Sequence, residues 1–171
     1  IVTLDEKEFT LNPNNLVICD AEKPVALAGI MGGANSGMDE NTTSLLFECA
    51  TFARDSVRKT SRALGQNSDS SARYEKGVDR YSPQLGLARA LHLIQQLDCG
   101  DITTLEYDLT DGRPLERKHI VTTPAKICAV LGITVPDQTM IDILQRLEFT
   151  VDVQADGSWD VSAPLYREDV E

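Results

Sequence analysis

Along the first fifty residues the apolar positions come in short runs separated by turn residues; after that they come at helical spacing. "IVTLDEKEFTL" reads as a hairpin around Asp5 and Glu6, and "NLVICD", "VALAGI" and "SLLFECATF" read as further strands. From Ala53, "ARDSVRKTSRALG" has helical composition and closes on Gly65, while "SPQLGLARALHLIQQLDCG" opens on Ser82-Pro83 and closes on Gly100. Two helices therefore follow the sheet. "DITTLEYDL" returns to a strand pattern, and "TDGRPLERK" then gathers turn residues and charges, which marks a domain boundary near residues 111–117.

Past the boundary, Thr123 stands as a helix N-cap, Pro124 at the first helical position and Gly132 past the end. A second helix follows with Met140, Ile141, Leu144 and Leu147 on one face, and "FTVDVQADGSWDVSAP" supplies two strands joined through Asp156-Gly157. The pattern predicts an α+β fold: a mixed sheet with packed helices over residues 1–112, then a small winged-helix-like domain over residues 117–171. It contains no internal repeat and no low-complexity segment.

Composition keeps the chain among globular proteins, since 42% hydrophobic with 25% charged excludes disorder as the default state. The chain begins at Ile1 and stops in "YREDVE", so it reads as a piece of a longer protein. No apolar run approaches the ~20 residues of a membrane helix, and "IVTLDEKEF" is no signal peptide; a soluble, cytoplasmic chain is expected. Cys19, Cys49, Cys99 and Cys128 lie far apart, with His92 and His119 the histidines, which matches neither zinc spacing nor a disulfide framework. Reduced, mostly buried thiols follow from this.

The net charge of -11 opposes bulk attraction to nucleic acid, yet Arg54 to Arg80 holds seven basic residues against four acidic ones. Such an island is either a solvated helix face or a phosphate-contacting patch. From Glu116 onward there are five basic and ten acidic residues, and Asp137, Asp142 and Glu148 fall on the outer side of the second helix, so groove reading of DNA is not expected.

The densest chemistry is the glycine cluster "ALAGIMGGANSG". Gly32 and Gly37 have Walker A spacing, but Met38-Asp39 stand where Lys and Ser/Thr belong, so a tight turn is the simpler account. Glu48, in the apolar run "LLFECATF", is a carboxylate that must be paired, neutralised or used; an ion pair with the basic island and a ligand-binding role stay equally open. Ser68, Ser70 and Ser71 surround Asp69. With no histidine near and no G-x-S-x-G elbow, they suit capping a helix, or holding a small polar ligand and a water, better than nucleophilic catalysis.

"LVICD", "ALAGIMGG", "NTTSLLFECATF", "SVRKTSRALG", "SSARYEKGVD", "ILQRLEFTVDV" and "VSAPLYREDVE", in this order, resemble the beta subunits of bacterial phenylalanyl-tRNA synthetases. The resemblance implies the C-terminal half of an editing domain, then the helix-and-wing domain that follows it. It further implies an alpha2beta2 ligase that charges tRNA(Phe) with phenylalanine using ATP and magnesium, with synthesis in the alpha subunit and hydrolysis of tyrosyl-tRNA(Phe) in the beta subunit. In the family's pattern Gly32 lies against the bound amino acid and Glu48 takes the tyrosine hydroxyl. Ser68 and Ser70 stand where the family usually has threonine and alanine; the first change keeps a hydroxyl and the second adds one to the pocket. A family histidine that helps position the attacking water lies upstream of Ile1. Asp169 matches the first of several acidic residues assigned to a magnesium ion shared with the alpha subunit. A non-catalytic scaffold with a structural Glu48, or a nucleic-acid-binding regulator, are the alternative readings.

Overall fold

The computed structural model describes residues 1–103, 108, 110, 112 and 114–170. By internal contacts the chain divides into two units, one of Ile1–Val78 with Ser82–Gly100, the other of Asp79–Tyr81 with Asp101–Glu171. The fold is α+β, and among the described residues the strands pair antiparallel, through short connections except at His119–Thr122, which two helices and a strand separate from its partner Trp159–Ser162.

In the first unit, β1 (Val17–Cys19), β2 (Pro24–Leu27) and β3 (Met31–Gly32) form a sheet in that order. The expected hairpin lies beside it: Val2 bridges Glu8, Thr3 bridges Gly33, and the Leu4 amide donates to the Gly32 carbonyl at 2.9 Å. The glycine cluster is structural at two points. Gly29 takes φ +69 in the turn between β2 and β3, and a Cβ on Gly33 would stand 2.5 Å from the Val25 carbonyl oxygen.

The helices α1 (Arg54–Leu64), α2 (Asp69–Tyr74) and α3 (Ser82–Leu97) follow. Gly65 closes α1 in the left-handed conformation, donating to the Arg62 and Ser61 carbonyls as the sequence predicts. Asp98, at φ 50, takes the left-handed position after α3 in place of the expected Gly100. The core of this unit is Leu27, Ile30 and Val57, ringed by Phe9, Leu11, Val17, Phe52, Leu64 and Tyr74. Arg54, Arg58, Lys59 and Arg62 of the basic island are exposed on α1.

Two expectations fail here. Residues 44–52 form no strand, and Leu45, Leu46 and Phe47 are exposed, Leu46 at 84%. β-propensity supplies side chains for a strand but not a neighbouring edge, and no described strand pairs with this run. The cysteines are not buried either: Cys19, Cys49 and Cys99 are exposed and Cys128 is intermediate, all as free thiols, because they sit at a strand end, in the unpaired run and past a helix end. The strand expected in "DITTLEYDL" falls mostly on residues 104–107 and 109, outside the described residues.

The second unit has β4 (His119–Thr122), α4 (Pro124–Leu131), α5 (Asp137–Arg146), β5 (Thr150–Val153) and β6 (Trp159–Ser162), with sheet order β4-β6-β5. Thr123 caps α4 through the Lys126 amide, Gly132 ends it in the left-handed region, and Gly157 at φ +83 turns the wing. β4 was not foreseen from the pattern, having only "HIVT" to announce it. Met140, Trp159 and Val161 form the core with Ile127, Ile141, Leu144, Phe149 and Val151 around them; Leu147, assigned to the same face, is 52% exposed because α5 ends before it. Among the described residues no helix is long and apolar enough to cross a membrane.

A polar network pins the amino-terminal hairpin to the end of α1. Gln66 is 1% exposed; its amide nitrogen donates to Asp5 at 2.9 Å, and Lys7 donates to its oxygen at 3.0 Å. Lys7 also pairs with Asp5 at 2.8 Å, and the Thr3 hydroxyl donates to the other Asp5 oxygen. The Lys7 ammonium, with Thr3 and Gln66 as further donors, holds the Asp5 carboxyl far below its ordinary value. A depressed folded-state pKa stabilises at pH above the unfolded value of 3.8, and that stability is lost as pH falls through the folded value. Asp5→Asn should therefore be less stable than wild type at pH 6, with the gap narrowing below pH about 3.9 in urea melts. A gap that stays constant down to pH 2 would show that Asp5 acts without its charge.

Candidate functional site

Six residues long, α2 is capped reciprocally: Ser68 accepts from the Ser71 amide, and the Ser71 hydroxyl accepts from the Ser68 amide. Its hydroxyls then reach outward to main-chain carbonyls. Ser68 Oγ donates to the Ile30 carbonyl at 2.6 Å, Ser70 Oγ to the Gly29 carbonyl at 3.0 Å, and Tyr74 Oη to the Ala50 carbonyl at 2.9 Å. The first two bonds hold the glycine turn, and the third holds the run that carries Glu48. One short helix thus gathers two segments distant in sequence.

Packing tightens the same place. The Tyr74 ring lies 5.2 Å from Phe52 between centroids, tilted by 51°. A Cβ on Gly29 would stand 3.1 to 3.2 Å from Phe52, Tyr74 and Val57, so the missing side chain is what admits these three. Gly32 lies on β3, and the place of its absent Cβ is covered at 2.9 Å by the tip of Leu4, a residue that no sequence pattern singles out.

Glu48 is exposed at its edge and makes no ion pair among the described residues, so a salt bridge with the basic island is not how it is accommodated. Partial burial pushes its carboxyl above the ordinary 4.5, with no cation to oppose it. The Tyr74 phenol is pushed up as well, first by burial and then by the charges of Glu48 and Cys49, which marks Glu48 and Tyr74 as electrostatic neighbours. The group is therefore an acceptor without a cation partner whose charge is felt at Tyr74, the residue that also bonds its run. Because both serine protons are committed to carbonyls, those oxygens face a ligand only as acceptors.

Two concavities lie elsewhere. In the first unit an open cleft of about 510 Å³ is lined by Ile1, Val2, Lys23, Pro24, Ala34 and Asn35; in the second, one of about 250 Å³ is lined by residues that include Arg80, Lys118, Arg167 and Glu168. Neither includes Gly32, Glu48, Ser68 or Ser70. Asp169 is held bidentately by Arg167, at 2.8 and 3.1 Å, which keeps its carboxyl below the ordinary range. Among the described residues no three His, Cys, Asp or Glu side chains gather as a metal site. Magnesium needs a near-octahedral shell of oxygens, so Asp169 and its described neighbours do not fit the ion by themselves.

Two family models match the chain: the B3/4 domain over residues 1–99 and the tRNA synthetase B5 domain over residues 120–171. Proteins named phenylalanine–tRNA ligase beta subunit are similar throughout. The one from Thermotoga maritima is 40% identical over 171 residues, covering 100% of this chain and 21% of its own length. That of Bacillus subtilis is 40% identical over 173 residues, with 99% and 21% covered, and that of Vibrio cholerae 34% identical over 170 residues, again with 99% and 21%. The chain thus spans about a fifth of the length of the curated relatives it matches.

Two outcomes are expected. Gly29→Ala should cost about 1–2 kcal/mol from its left-handed backbone alone, with the contacts to Phe52, Tyr74 and Val57 adding to it; a thermal melt equal to wild type would contradict this. Titrating magnesium into this chain by calorimetry should reveal no micromolar site, and binding that disappears in Asp169→Ala would overturn the reading of Asp169 as an arginine-paired carboxylate.

Proposed function

Because the chain belongs to the B3/4 domain family and carries a tRNA synthetase B5 domain, we propose that it is part of a phenylalanine–tRNA ligase beta subunit. In this reading residues 1–112 contribute to hydrolytic editing of tyrosyl-tRNA(Phe), and residues 117–171 form a small domain that scaffolds the alpha subunit and tRNA(Phe). Synthesis with ATP and magnesium belongs to the alpha2beta2 enzyme in the cytoplasm.

Editing answers a physical limit. Tyrosine is phenylalanine plus one hydroxyl, and a hydrophobic pocket rejects an added hydroxyl only weakly. A second site that binds that hydroxyl separates the two sharply, because phenylalanine would leave the site's polar group without its partner. The observation that supports the reading is the convergence on α2: the serine bonds hold the glycine turn and the Tyr74 bond holds the run that carries Glu48. Glu48 takes the phenol proton donor. Gly32 leaves room for the amino acid's main chain, with Leu4, 59% exposed, rotating aside to admit it. Ser68 and Ser70 accept from the substrate's ammonium or the attacking water.

The acidic second unit argues against a groove-reading module: Asp137, Asp142 and Glu148 are exposed, where they repel phosphate.

A hydrogen bond to an ionised group contributes about 1.5–3 kcal/mol, roughly ten- to hundredfold in discrimination. Glu48→Ala in the complete enzyme should slow deacylation of preformed tyrosyl-tRNA(Phe) by about that factor, with phenylalanine charging and thermal melting as controls. In the wild type the hydrolysis should rise with pH through a carboxyl ionisation lying above 4.5, since the ionised form is the better acceptor. A folded Glu48→Ala enzyme that deacylates at the wild-type rate would refute the assignment.

A further inference from the structure

Residues 38–53 form no helix and no strand, so no periodic hydrogen bonding fixes the direction in which Glu48 points. Tyr74 reaches this run from the ordered part of the unit through both ends of its side chain. Its hydroxyl takes the carbonyl of Ala50, two residues past Glu48, and its ring packs on Phe52, two residues further. The ring is itself seated, because its Cγ occupies space 3.2 Å from where a Cβ on Gly29 would be. The backbone at 74 belongs to a helix whose start is locked by a capping box and by bonds from Ser68 and Ser70 to the glycine turn.

Resting on the editing reading, we propose that Tyr74 is a positioning residue for Glu48: its hydroxyl on the Ala50 carbonyl and its ring on Phe52 hold the run so that the Glu48 carboxylate faces the tyrosine hydroxyl of the substrate. Tyr74 does not touch the substrate. Its proton goes to a main-chain carbonyl, so it offers the bound amino acid no donor. The influence of Glu48 charge on the phenol is a second sign that the two side chains share one neighbourhood. Misplacing a recognising group by about 1 Å can cost up to two orders of magnitude in rate, so a bond that anchors an irregular run two residues from that group has leverage.

Tyr74→Phe keeps the ring and removes only the bond to Ala50; Tyr74→Leu removes both. In the complete alpha2beta2 enzyme, Tyr74→Phe should raise KM for tyrosyl-tRNA(Phe) deacylation about three- to tenfold, leave the slow hydrolysis of phenylalanyl-tRNA(Phe) unchanged, and melt with wild type. Tyr74→Leu should lose more. Placed in a Glu48→Ala background, Tyr74→Phe should add nothing, because the group it aims is gone. The proposal is overturned if Tyr74→Phe keeps the wild-type preference for tyrosine, if it lowers hydrolysis of both aminoacyl-tRNAs equally, or if its effect adds in full to that of Glu48→Ala. Should Glu48→Ala alone behave as wild type, the editing reading falls and the positioning role with it; loss in Glu48→Ala with none in Tyr74→Phe overturns the positioning role alone.

Discussion

Three side-chain hydroxyls on α2, bonded to the carbonyls of Ile30, Gly29 and Ala50, are the constraint on which the first unit's chemistry depends. A turn and an irregular run both leave main-chain carbonyls without ladder partners, and a carbonyl buried without a partner costs roughly 1–3 kcal/mol. Short hydroxyl side chains at a helix start meet that need while capping the helix they belong to. The helix is too short to be stable by propensity. Its capping box, the three outward bonds and the Tyr74 ring in the core margin compensate for its length.

The same economy explains the glycines. Gly29 needs the left-handed region to turn the hairpin, and its bare α-carbon also admits Phe52, Tyr74 and Val57; Gly33 lets β2 approach through the Val25 carbonyl. Neither function involves a phosphate. The second unit stands on a different basis, with Trp159 and Val161 of the central strand β6 packed on Met140 of α5, and its charge is carried outward.

Caps and cores were legible because their signals are local. Thr123-Pro124, Gly65, Gly132 and Asp156-Gly157 mark their elements within a few residues, and each adopts the conformation its chemistry favours. The run around Glu48 was misread for the opposite reason: pairing is decided by a neighbouring strand, and alternation cannot say whether one is present. β4 has no local signal: β5 and β6 are equally short but are joined by the Asp156-Gly157 turn, whereas no turn links His119–Thr122 to its partner β6. Ser68 and Ser70 were recognised as a polar cluster, but that their protons point at carbonyls depends on a turn forty residues away. Leu4 and Tyr74 had no signal at all, since a leucine in a hairpin and a tyrosine in a helix are ordinary until their neighbours are known.

Under the proposed editing role, the direction of the serine protons decides what an added hydroxyl at position 70 would do where one hydroxyl is weighed against its absence. A free hydroxyl there could rotate and donate to the substrate's phenol oxygen, rewarding tyrosine, or accept from any nearby donor without discrimination. The Ser70 proton is instead spent on the Gly29 carbonyl, which fixes the rotor and leaves only lone pairs toward the solvent side. Lone pairs do not distinguish phenylalanine from tyrosine at the ring's far end unless they reach the phenol, and Ser70 is tied to the turn rather than to the Glu48 run. Under the proposed editing role, selectivity would therefore rest with Glu48, and the bond from Ser70 would add order to the turn without adding a competing recognition group.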